Sequence, residues 1–250
     1  MSDPLLEYLL RLGDTTLILG HRLGEWCGHA PTIEEDIALA NTALDLVGQT
    51  RLWLGLAAEV EDRGRDADAL AYRRDAWEFR NLLIAELPNI DYGRTILRQF
   101  LYDAYALPLL ERLGFSSDRR MAEIAGKAAK EAAYHLDRSS GIVIGLGDGN
   151  PESRSRMQAA LDALWPYAGE MLAPDAVDDA LAAEGAVPDL AEIGQDWTRT
   201  VEGALAEATL VAPEGDFAHR GGKTGRHTEH LGHLLAEMQF LQRAYPGATW

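Results

Sequence analysis

A single cysteine, Cys27, leaves this chain of 250 residues with no internal disulfide and no cysteine-built metal site. A lone cysteine of this kind is expected to act as a small buried hydrophobe. No apolar run approaches the roughly 18 residues of a membrane span. The opening MSDPLLEYLL has neither the basic start nor the apolar core of a signal peptide. Basic residues are scarce too: 23 Lys and Arg stand against 40 Asp and Glu, a formal charge of −17. So acidic a chain repels phosphate backbones and anionic lipid heads, so neither nucleic acid nor a membrane is expected as partner. A cytoplasmic protein is expected. Period-two alternation rich in β-branched residues is missing as well, which excludes substantial sheet.

What is present is helix, nearly end to end. Leu5, Leu9 and Leu12 recur at helical spacing. Thr32-Ile33-Glu34-Glu35 reads as a capping box opening a helix to about Asp62. The pattern predicts further helices from about Asp66 to Leu87, where Pro88 stops it, and from about Tyr92 to Leu113. Ser117 is expected to cap the next, reaching about Leu146 and ending among Gly145, Gly147 and Gly149. Asn150-Pro151 starts another, to about Leu172. Pro174 and Pro188 begin two more, the latter ending near Val211, and the last runs from about Arg226 to Tyr245. The glycines of the one long loop, Val211 to Arg226, suit close backbone packing. With no repeats and no long linkers, residues 1–250 are expected as a single domain: all-α, a ferritin-like four-helix bundle with additional C-terminal helices.

Four acids sit near the midpoints of four successive expected helices: Asp45, Asp75, Asp103 and Glu131, at separations of 30, 28 and 28 residues. In an up-and-down bundle such midpoints share one height, so these acids are expected in one transverse layer. Asp45 is the only charged residue between Ile37 and Thr50, and Asp103 the only one between Phe100 and Leu110. Both should therefore point inward. A di-metal carboxylate site takes single carboxylates from two helices and a Glu-x-x-His pair from each of the other two. The alternation here is Asp45, Asp75-x-x-Glu78, Asp103 and Glu131-x-x-Tyr134. Glu78 and Tyr134 stand where histidines are needed, and His135 is turned by about 100°. The expectation is a degenerate site that holds no metal, its charges paired with bases such as Arg74, Lys127, Lys130 or Arg138. An all-oxygen site for manganese, magnesium or calcium, or a coincidental set of surface and salt-bridging acids, is the alternative. In the C-terminal run, His230, His233 and Glu237 have ligand-compatible spacing, but a capped helix start explains them as well.

The strings LGDTTLILGHRLGEWCGHAPTIEEDIALANTALDLVGQTR and GGKTGRHTEHLGHLLAEMQFLQRAYPG, with KEAAYHL around Glu131, resemble one family over essentially the whole chain. That family is the structural, non-catalytic subunits of bacterial phenylacetyl-CoA epoxidases. The resemblance implies a complex that converts phenylacetyl-CoA to its ring 1,2-epoxide with oxygen and NADPH. It implies a paralogous partner subunit holding the di-iron centre and the substrate, small accessory subunits, and a reductase with FAD and an iron–sulfur cluster. This chain would bind no cofactor, pair with the catalytic subunit and self-associate. The partner contact is expected around Gly222, His227, Glu229 and His230. A carboxylate-only metalloenzyme, or a bundle binding a small apolar ligand, is the competing expectation.

Overall fold

The computed structural model describes residues 3–215 and 217–248. Its helices are α1 Pro4–Gly24, α2 Ile33–Glu61, α3 Ala67–Tyr72, α4 Leu83–Glu86, α5 Tyr92–Leu113, α6 Arg119–Gly147, α7 Pro151–Ala168, α8 Ala176–Ala183, α9 Leu190–Glu207, α10 Glu229–Met238 and α11 Phe240–Ala244. Short 3-10 turns lie at Ala76–Glu78 and Gly222–Thr224. The fold is all-α, with no strand among the described residues. Among the described residues no helix is long and apolar enough to cross a membrane. The four longest helices, α1, α2, α5 and α6, are the long elements that a ferritin-like fold requires. Two compact units are formed: Met1–Pro88 with Arg220–Trp250, and Asn89–His219.

In the first unit α1 and α2 form an antiparallel pair. Thr16 and Thr50 share a hydroxyl hydrogen bond at 2.9 Å, and Gly13 and Gly20 admit the side chains of Leu54 and Val47. α1 is buried on nearly every side, whereas α2 is buried along one stripe: Leu39, Ala43, Leu46, Trp53 and Ala57. That spacing of three and four is a helix-packing seam. The caps follow the sequence: Asp3 takes the Leu5 N–H, and Thr32 the Glu35 N–H. Cys27 is exposed, contrary to expectation, because it lies in the turn beyond Gly24 rather than on a packed face.

The largest correction falls on Asp66–Leu87, expected as one helix. Only its ends are α-helical, and residues 73–82 run irregularly apart from the 3-10 turn at Ala76–Glu78. A backbone that leaves the helix must find other hydrogen-bond partners, and here distant side chains supply them. Gln239 donates to the carbonyls of Ala71 and Arg74, Arg243 to that of Arg74, and His227 bonds the carbonyl of Phe79. The Asp14 carboxylate accepts the Arg80 N–H, and the Thr15 hydroxyl the Leu82 N–H. Local propensity favours helix, but these tertiary partners override it.

In the second unit α5 is buried all round, packed against α6, α7 and α9. Trp197 of α9 donates its indole N–H to the Leu101 carbonyl at 3.0 Å. α6 buries one face through Met121, Ala125, Ala128, Ala132, His135, Ser139 and Val143. Its cap is Asp118, one residue beyond the expected Ser117, whose hydroxyl is engaged by the carbonyl of Glu184. The last expected helix is shorter and broken: Thr228 caps α10, and a break at Gln239 separates it from α11.

Candidate functional site

Of the four acids expected to form a layer, Asp103 alone is buried, at 1% exposure in the middle of α5. Gln99, one turn earlier, donates to its Oδ1 at 2.7 Å, and Ser139 of α6 donates to its Oδ2 at 2.8 Å. Burial pushes its pKa up to about 6. The nearby charge of His135, the two hydrogen bonds and Arg138 all oppose that rise without overcoming it. A carboxyl raised from 3.8 costs folding stability as pH climbs through about 6, because the unfolded chain gives up its proton first. Asp103→Asn is therefore expected to stabilise the protein at pH 8, by up to about 3 kcal/mol from the size of that shift. The gain should vanish near pH 4. Urea denaturation at both values checks it, and an equal loss at both would mean the carboxylate is needed as a hydrogen-bond acceptor.

The other three acids are placed differently. Asp45 lies on the flank of α2, partly exposed; the apolar residues that suggest burial, Ile37, Leu44 and Val47, are themselves exposed. Asp75 is not in a helix. It precedes the turn Ala76–Glu78, where Glu78 accepts the Asp75 backbone N–H at 2.8 Å, and its own carboxylate meets Arg243 at 2.9 Å near the surface. The Asp75-x-x-Glu78 spacing is thus that of a capping box rather than a ligand pair. Glu131 sits 3.8 Å from Lys127, and Tyr134 is 56% exposed. The inward face of α6 runs through Ala132 and His135, one position from the register that the layer required.

Two buried acids outside that layer do more. Asp14, midway along α1 with no exposure, receives two guanidinium nitrogens of Arg74, one at 3.0 Å. Arg74 lies over the Phe79 ring at 4.5 Å and donates to the carbonyls of Leu70 and Glu78. Glu86, also fully buried, accepts Asn81 at 2.9 Å, His227 Nδ1 at 2.9 Å and the Thr228 N–H at 2.5 Å. The signal that points to Asp103 points to both: Asp14 is the only charge between Arg11 and Arg22, and Glu86 the only charge between Arg80 and Asp91.

Gly222 and His227, expected at a partner contact, are turned inward in the same unit; Glu229 is exposed and His230 partly so. A Cβ on Gly222 would stand 2.2 Å from the Asn81 carbonyl, and one on Gly225 2.3 Å from that of Trp77. These glycines let the loop lie against residues 77–83. Gly222→Leu is expected to lower the melting temperature by several degrees, since overpacking of this kind costs about 1–3 kcal/mol. An unchanged melt would show that the loop can move aside.

Among the described residues no three of His, Cys, Asp and Glu converge to hold a metal. The donor set does not fit a di-metal carboxylate centre. Asp14, Glu86 and Asp103 are each matched by protein donors, and the expected ligand positions Asp75 and Tyr134 lie at the surface.

Known proteins match the chain along its whole length. A family model described as "Phenylacetic acid catabolic protein" matches residues 1–250. The chain is 48% identical over 248 residues to one of the subunits of the 1,2-phenylacetyl-CoA epoxidase of Escherichia coli (strain K12), with 99% of this chain and 100% of that relative covered.

Proposed function

Because this chain belongs to the phenylacetic acid catabolic protein family, we propose that it is the non-catalytic, structural subunit of a phenylacetyl-CoA 1,2-epoxidase. In this reading it pairs with a paralogous subunit that carries the di-iron centre, stabilises that subunit, and assembles with accessory subunits and with copies of itself. NADPH, FAD and an iron–sulfur cluster belong to the reductase. The observation that supports the non-catalytic part is the use made of Asp14, Glu86 and Asp103. Arg74 takes the first, His227 and Asn81 the second, Ser139 and Gln99 the third. A buried acid already matched by protein donors is a structural part, because displacing those donors would leave them unpaired.

The test is to purify this chain alone and with the iron-bearing subunit. Iron and phenylacetyl-CoA-dependent NADPH consumption are then assayed with the reductase present. The expected result is no turnover from this chain alone, and a soluble, active complex when both are present. Turnover from the isolated chain with two metal equivalents bound would overturn the proposal.

A further inference from the structure

α2 turns two different faces. Away from its packing seam, Ile33, Ile37 and Leu44 are exposed by 71, 55 and 70%, and Val47, at the seam's edge where it also meets Gly20, by 46%. Their spacings of 4, 7 and 3 residues keep them within one narrow stripe. The stripe is about 21 Å long at 1.5 Å per residue. Gly48 and Gly55 lie on the same side of the helix, and a Cβ on either would meet nothing within 4 Å. Nothing inside the chain explains a glycine at these places, and each weakens the helix relative to alanine. A contiguous apolar stripe next to glycines is the surface against which another helix can pack closely.

The charges around it select the occupant. Glu34, Asp45 and Glu59 flank this face and Arg51 is the one base of α2, while Asp36 accepts the Gly28 N–H and Glu61 pairs with Arg65. A second copy would bring the same acidic helix, in a chain already at −17. A helix with an apolar face and flanking Lys or Arg meets both features.

We propose that the exposed face of α2 is the surface on which a different subunit docks an apolar, basic-flanked helix, crossing near Gly48. This deepens the functional reading above and rests on it: the partner is taken to be the iron-bearing subunit of the same epoxidase. The packing of two long helices supplies affinity, and the acidic rim supplies orientation.

Gly48→Ala separates this role from a structural one. In the isolated chain the substitution should raise the melting temperature by about 2–4 °C, since alanine is the better helix former and has room. In the complex the added methyl meets the partner's backbone, so affinity for the purified iron-bearing subunit should fall at least tenfold by calorimetry. Leu44→Glu should abolish binding, while Phe115→Glu, which changes an exposed residue of the loop before α6, should not. Wild-type binding should weaken between low and high salt. If wild type binds and both α2 variants bind as well, the surface is wrong and the functional reading stands. If wild type does not bind that subunit, the pairing itself falls and this proposal with it. Conversion of a self-associated wild type to monomer by Leu44→Glu, with unchanged binding of the iron-bearing subunit, would assign the face to a second copy and overturn the choice of partner.

Discussion

Asp14→Ala is expected to cost about 3–5 kcal/mol of stability, the range for removing one partner of a buried ion pair. The loss has two parts. Arg74, at 2% exposure, keeps its charge with no carboxylate opposite it, and the Arg80 N–H loses its acceptor. Residues 73–82, held outside a helix by these bonds, would lose the group that organises them. Urea denaturation of the variant measures the effect. Combining it with Arg74→Met should cost much less than the sum of the two single changes, because the uncompensated charge disappears. A single-variant loss below about 1 kcal/mol would mean that water already reaches the pair.

Glu86→Ala should be nearly as damaging, because it strips acceptors from Asn81, His227 and Thr228 together. The same cluster makes a pH dependence. Both ring nitrogens of His227 face acceptors, the Glu86 carboxylate and the Phe79 carbonyl, and only the imidazolium can donate from both. Burial alone would lower its pKa. Glu86, the Phe79 carbonyl and the charge of Asp14 outweigh that, and the net direction is upward from 6.5. A raised histidine contributes stability that is complete below 6.5 and is lost as pH rises through its folded value. Thermal melts should therefore fall on going from about pH 6 to about pH 9 in wild type, and this part of the fall should be absent in His227→Gln. An identical slope in the variant would show that His227 is neutral in the fold.

The helical class is legible in the sequence because caps and stops are local: Thr32, Asn150-Pro151 and Pro88 each act within a few residues. The sequence misleads at Asp66–Leu87, where every local preference is met. What breaks that segment is Asp14, His227, Gln239 and Arg243, residues 60 to 169 positions away in the chain. The same non-locality hides the real buried acids. Equal spacing of midpoints points to Asp75, yet its helix does not exist. Isolation of an acid among apolar neighbours is the better signal, but it works only where those neighbours are packed. On α2 they are not, so Asp45 reads as inward-facing when its surroundings face outward.

The first unit is assembled from both ends of the polypeptide, Met1–Pro88 and Arg220–Trp250, while the second, Asn89–His219, is one continuous stretch. Translation is vectorial, at about 5–20 residues per second. The earlier-made segment thus waits for His227, Gln239 and Arg243 until the whole middle unit has been made. For that interval, on the order of ten seconds, the carbonyls of Ala71 and Arg74 and the acceptor positions that His227 fills on Glu86 and Phe79 are left to water. The nascent chain is therefore most open to proteases and chaperones in its oldest part, and a premature stop shortly after residue 219 would condemn the first eighty-eight residues along with the missing tail.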